Sequence, residues 1–179
     1  MKIWRVLASG FIEVDMSKEM IDAAEKRNQE FYSKYGNKGT HRQDKTRQRM
    51  TGYLAEMAVK HVFNKLEFSE DDSVDFVFNG VTFDVKAQGC NSAPELKFVG
   101  TLYEEQASRN VDFYIFARVK NDSSKVWIAG FISKNKLFKT AQLISKGTAN
   151  ENFTYDQSRY EIPYFKLEKA KNVGLRNEL

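Results

Sequence analysis

Val74-Asp75-Phe76-Val77-Phe78-Asn79-Gly80-Val81-Thr82-Phe83-Asp84-Val85-Lys86-Ala87-Gln88 decides the fold, because its central turn sets its own register. Asn79-Gly80 between alternating apolar residues is the strongest short signal for a two-residue β-hairpin. That loop puts Phe78 opposite Val81, Val77 opposite Thr82, Phe76 opposite Phe83 and Asp75 opposite Asp84. Counted outward, the two aspartates fall at a non-hydrogen-bonded pair, where side chains come closest. Like charges so placed destabilise a sheet. At ~5 Å and an effective dielectric of ~20 the repulsion is on the order of 3 kcal/mol. A cation between them turns that cost into a binding site.

Alternation along the second strand sorts its side chains into two faces. Val81, Phe83, Val85 and Ala87 point to a core, whereas Thr82, Asp84, Lys86 and Gln88 share the other side. Two carboxylates with an ammonium one pleat further on suit Mg²⁺, with Mn²⁺ as a substitute, and a lysine there can position a water or offset charge on a substrate. The plain alternative is a solvated hairpin face on which Lys86 neighbours Asp84.

Asp75, a short hairpin and then Asp84-Val85-Lys86 resemble the signature of the PD-(D/E)XK nuclease superfamily, which includes restriction endonucleases and Holliday junction resolvases. Upstream, Gly52-Tyr53-Leu54-Ala55-Glu56-Met57-Ala58 is similar to the G-x-x-x-E-x-x-A helix of resolvase-like members, although the small residue follows the acid by two positions instead of three. Val74 stands where the superfamily has proline. The resemblance covers Thr51 to Gln88 as motifs and, from there to about Ile144, only an order of elements. It implies an α/β fold with a restriction-endonuclease-like core. It further implies that Glu56, Asp75, Asp84 and the Val85 main-chain carbonyl hold Mg²⁺ while Lys86 orients the attacking water, and that the products carry 5′-phosphate and 3′-hydroxyl ends. Gln88 joins this catalytic set as a support for water or substrate, or else is a surface glutamine. Glu56 has its own plain alternative in an i,i+4 pair with Lys60.

Outward from the motifs, Lys2 to Val14 suggests a short extended pair broken at Ser9-Gly10. Ser17 is a fair N-cap for a helix running to about Tyr35 and ended by Gly36, and a second helix is expected from Gly52 to about Phe63. Its apolar stripe is Leu54, Met57, Ala58, His61 and Val62, with Glu56 beside it. Residues 111–119 and 126–132 read as two covered strands. Ser133 then caps a helix from Lys134 to about Ile144. Residues 147–159 look like a surface loop, and Tyr160 to Phe165 like a late edge strand containing Pro163. Helix, hairpin, strand, strand, helix predicts a mixed central β-sheet flanked by helices in a single domain spanning 1–179.

The partner class follows from where charge is placed. Across a connector at about 34–50, Lys34, Lys38, His41, Arg42, Lys45, Arg47 and Arg49 face a single acid, Asp44, with Tyr32 and Tyr35 at its edge. Lys38, His41, Arg42, Lys45, Arg47 and Arg49 are the candidates for neutralising a DNA backbone beside the metal. The alternative is a solvated loop.

The 179 residues carry a net charge of +4 and are 41% hydrophobic, enough for one sizeable core. One cysteine, Cys90, excludes an internal disulfide framework, and with two histidines it cannot complete the usual structural zinc site. Two histidines also leave a Ser-His-Asp hydrolase little support. No apolar run of about 18 residues and no charged-then-apolar leader is found, so an intracellular, cytoplasmic protein is expected. The expected function is metal-dependent hydrolysis of DNA phosphodiesters by an endonuclease of phage, restriction, recombination or repair type. Its substrate would be duplex or branched DNA, and a resolvase would act as a homodimer. The competitors are a non-catalytic nucleic-acid-binding protein that keeps the nuclease fold, and an interaction domain whose acids pair with a partner's basic groups.

Overall fold

The computed structural model describes residues 3–35, 43–150 and 153–170, of which 43–46 as backbone only. Strands β1 (Trp4–Val6) and β2 (Ile12–Asp15) form the expected opening pair, and helix α1 (Lys18–Tyr35) starts where Ser17 Oγ accepts Met20 N–H. Helix α2 runs Gln43–Val62, nine residues longer at its start than the sequence pattern suggests. Gln, Lys, Arg and Met are good helix formers, and charge alone does not break a helix. The stretch 43–50 is therefore two helical turns, not connector.

Strands β3 (Glu67–Phe68), β4 (Phe76–Phe78) and β5 (Val81–Cys90) follow, then β6 (Val99–Tyr103), β7 (Phe113–Lys120) and β8 (Lys125–Ser133). Helix α3 (Lys134–Thr140) is capped by Ser133 Oγ accepting Lys136 N–H, as expected, but ends at Thr140. Strand β9 (Gln142–Ile144) takes the remaining residues because they pair with β10 (Arg159–Pro163). β10 in turn is the middle of a three-stranded sheet, β6-β10-β9, and not an edge strand; Pro163 is accommodated as its last residue, opposite Val99.

The main sheet is α/β, seven-stranded and mixed, in the order β1-β2-β8-β7-β5-β4-β3. Among the described residues only β5 and β7 pair in parallel. Phe83, Val85, Ile115, Ala117 and Val119 pack one face against Leu54, Ala58 and Phe63 of the α2 region and Met20 and Ala24 of α1. Tyr114 and Phe116 pack the other against Leu137 of α3 and Leu102 and Ile162 of the small sheet. Gly100 permits that close approach, since a Cβ there would meet the Phe116 ring at 2.4 Å.

Candidate active site

Asn79 and Gly80 take φ of 50° and 78°, the two positive values a type I′ turn needs. The ladder has the register read from the sequence, Phe78↔Val81, Val77↔Thr82 and Phe76↔Phe83. It ends there, because β4 is three residues and β5 is ten. Beyond Phe76, Asp75 brackets Asp84: its N–H donates to Phe83 O at 3.0 Å and its Oδ2 accepts Val85 N–H at 2.6 Å. Burial, with the charges of Glu56 and Asp84, pushes the Asp75 carboxyl well above the usual carboxylate range. N–H and C=O of one strand residue leave by the same edge, so the Val85 carbonyl faces the edge that β4 has vacated.

Glu56 does not flank the apolar stripe; it is buried within a run from Leu54 to Val59, at 6% exposure. Its partner is Arg27 of α1, with Nη1 2.6 Å from Glu56 Oε2 in a charge contact lacking good hydrogen-bond direction. Burial raises the Glu56 carboxyl to about 7, with Arg27 opposing, Asp84 adding to the rise and Lys86 opposing. The i,i+4 partner considered above is engaged elsewhere, because Lys60 Nζ donates to Asn64 O and Leu66 O. His61 is exposed, not part of the apolar face, since at the end of α2 the burial passes to Val62 and Phe63.

Lys86 Nζ lies 2.7 Å from Asp84 Oδ2, with Asp84 3% and Lys86 a side-chain 12% exposed. The repulsion expected between the aspartates is thus offset by an ammonium on one and a main-chain N–H on the other. Gln88 Nε2 donates to Thr101 Oγ1 of β6 at 3.1 Å, while its Oε1 is buried without a hydrogen-bond partner. Three further groups reach this centre that sequence reasoning missed. They are Arg27, Arg109, whose Nη1 is 3.8 Å from Asp84 Oδ2, and Tyr114, the register partner of Asp84. The Tyr114 hydroxyl is buried without a hydrogen bond and pushed up to about 12 by burial and then by Asp84. Tyr114 was recoverable in principle from pairing β5 with β7; nothing local in sequence marks the two arginines.

The basic candidates divide. Lys38, His41 and Arg42 lie outside the described residues, as does the side chain of Lys45 on α2. Arg47 is exposed. Arg49 instead packs its guanidinium over Phe31 at 4.0 Å and Tyr32 at 4.9 Å, joining α2 to α1.

The donors fit a hard divalent cation in kind: Asp84 Oδ2 and Glu56 Oε2 are buried oxygens with no directed hydrogen bond, next to Asp75. Among the described residues, however, no three His, Cys, Asp or Glu side chains are gathered into a metal cluster. Glu56 is turned to Arg27, so the fit is to an Asp75–Asp84 pair with the Val85 carbonyl beside it. The chain matches no protein-family model and no curated protein sequence. Among the described residues no helix is long and apolar enough to cross a membrane.

Proposed function

We propose that this chain is an intracellular Mg²⁺-dependent nuclease that hydrolyses DNA phosphodiesters, with duplex or branched DNA as substrate. The observation that carries the reading is Asp75 held beside Asp84 at the edge of β5 that β4 has vacated, its Oδ2 accepting Val85 N–H at 2.6 Å, with Lys86 Nζ 2.7 Å from Asp84 Oδ2. Mg²⁺, when bound, supplies Lewis-acid polarisation of the phosphate and of water. Asp75 and Asp84 hold it, with the Val85 carbonyl and, directly or through water, Glu56. Lys86 orients the attacking water and offsets charge on the phosphate oxygens. Gln88, fixed by Thr101, keeps a carboxamide oxygen free to accept from that water or from the substrate.

A panel of duplex, single-stranded, flap and four-way-junction DNA tests this. Cleavage of at least one member with Mg²⁺ or Mn²⁺, lost with chelator and in Asp84→Asn, is expected; no cleavage of any member overturns it. A second reading, a non-catalytic DNA-binding protein, is favoured by the charge contacts that already neutralise Glu56 and Asp84. Binding at low salt without metal-dependent nicking of plasmid would select it.

A further inference from the structure

Two arginines from separate elements end on the acidic centre. Arg27 reaches Glu56 from α1, its guanidinium 4.4 Å from the Phe68 ring centroid and 5.2 Å from that of Tyr53. Arg109 reaches Asp84 from the loop between β6 and β7. Their side chains stay 34% and 39% exposed, whereas Lys86 is nearly enclosed. Glu56 thus already carries Arg27, and Asp84 carries Lys86 and Arg109.

A divalent cation added alone to that centre puts its charge beside Arg27, Lys86 and Arg109 where water is scarce, which is costly. Mg²⁺ sites commonly use one or two carboxylates and complete their shell with substrate phosphate. Guanidinium groups accept phosphate in place of carboxylate, because the same fork of donors fits both. Resting on the nuclease reading above, we propose that Arg27 and Arg109 are phosphate ligands of the substrate strand. In the free protein they sit on Glu56 and Asp84. They pass to backbone phosphates when a divalent cation takes the carboxylates, so cation and nucleic acid bind cooperatively. Linkage makes the coupling reciprocal.

Mn²⁺ binding to the full chain, followed by electron paramagnetic resonance, is the test, with and without a cleavage-resistant phosphorothioate oligonucleotide. Affinity for Mn²⁺ should rise about tenfold with the oligonucleotide, equal to ~1.4 kcal/mol of coupling. Arg27→Met and Arg109→Met should each tighten Mn²⁺ binding to the free protein, weaken the oligonucleotide in the presence of Mn²⁺ several-fold, and shrink the coupling. Arg109, at a loop and farther from its carboxylate, carries the test if Arg27→Met does not fold. Equal Mn²⁺ affinity with and without oligonucleotide, in a chain that cuts DNA, overturns this proposal and leaves the nuclease reading standing. Tighter Mn²⁺ with unchanged oligonucleotide affinity in both variants makes the arginines counter-ions only, and also overturns it. No Mn²⁺ binding and no cleavage under any condition overturns both.

Discussion

The β4–β5 hairpin and the first turns of α2 both entered the sequence reading of the candidate site, yet only the hairpin has the structure that its residues announce. In the hairpin, two positive-φ residues and strict alternation leave one register, and all three pairs of the β4–β5 ladder have it. Of the six basic positions read as phosphate-binding, Arg47 and Arg49 lie on a helix that begins at Gln43, Arg47 exposed and Arg49 half-buried with its guanidinium over Phe31 of α1. Rules set by backbone geometry survive folding; roles inferred from charge depend on what packs alongside.

The largest expected effect sharpens the hairpin side of that contrast. Lys86→Ala should lower cleavage by a factor of at least ~100, the usual scale for a positioned general acid–base group. Divalent-cation affinity should be unchanged or slightly higher, because an ammonium next to Asp84 is gone. Cleavage at the wild-type rate under saturating Mg²⁺ would make the Asp-x-Lys spacing a coincidence of strand alternation.

A second test links the two regions through Glu56, which α2 supplies to the hairpin's acids. Its folded carboxyl is raised to about 7 from an ordinary 4.5. Between those values the folded chain holds a proton that the unfolded chain has released, so metal-free stability should fall as pH rises through that window. Asp75, raised in the same direction, steepens the fall. Thermal melts in chelator should therefore decline from acid to neutral pH, Glu56→Gln should flatten the decline, and Mg²⁺ should restore the melt near neutrality. A flat profile for the wild type would mean that Arg27 keeps Glu56 ionised throughout.

How much of the site was legible follows the same division. Asp84, Lys86 and Gln88 lie on one strand whose facing could be counted from Asn79-Gly80, and Asp75 lies just beyond the end of its partner. Glu56 was placed on the correct helix, but its burial and its pairing with Arg27 depend on α1 packing on α2, a contact with no local signature. Strand β9 was hidden because Gln142–Ile144 continues an apolar pattern that also suits a helix, and only β10 decides between them. Strand β6 was missed because Gly100 weakens its pattern, although that glycine is what seats it on Phe116.

A smaller effect probes the turn itself. Gly80→Ala puts a Cβ on a residue at φ 78° with open space around it, so the cost is backbone strain and not a clash. It should be about 1 kcal/mol, read as a lower melting temperature with the catalytic pH profile unchanged. A loss of activity out of proportion to stability would show that the register of Asp75 against Asp84 slips when the turn is strained.

The finest test separates two arginines that composition treats as equivalent. Arg49 covers Phe31 and Tyr32, so Arg49→Ala should cost stability, ~1 kcal/mol for the lost cation–π and packing contacts, and leave the salt dependence of DNA binding alone. Arg47 is exposed and its backbone is already satisfied within the helix, where its carbonyl accepts Thr51 Oγ1. Arg47→Ala should leave stability within ~0.5 kcal/mol. If its side chain meets a phosphate, the slope of log affinity against log salt should become shallower by about one. Denaturant melts and a salt titration on the two variants give a two-by-two outcome. The reverse pattern, Arg49 changing the slope and Arg47 the stability, would mean that α2 rotates on α1 when DNA binds, exchanging the aromatic contact for a phosphate.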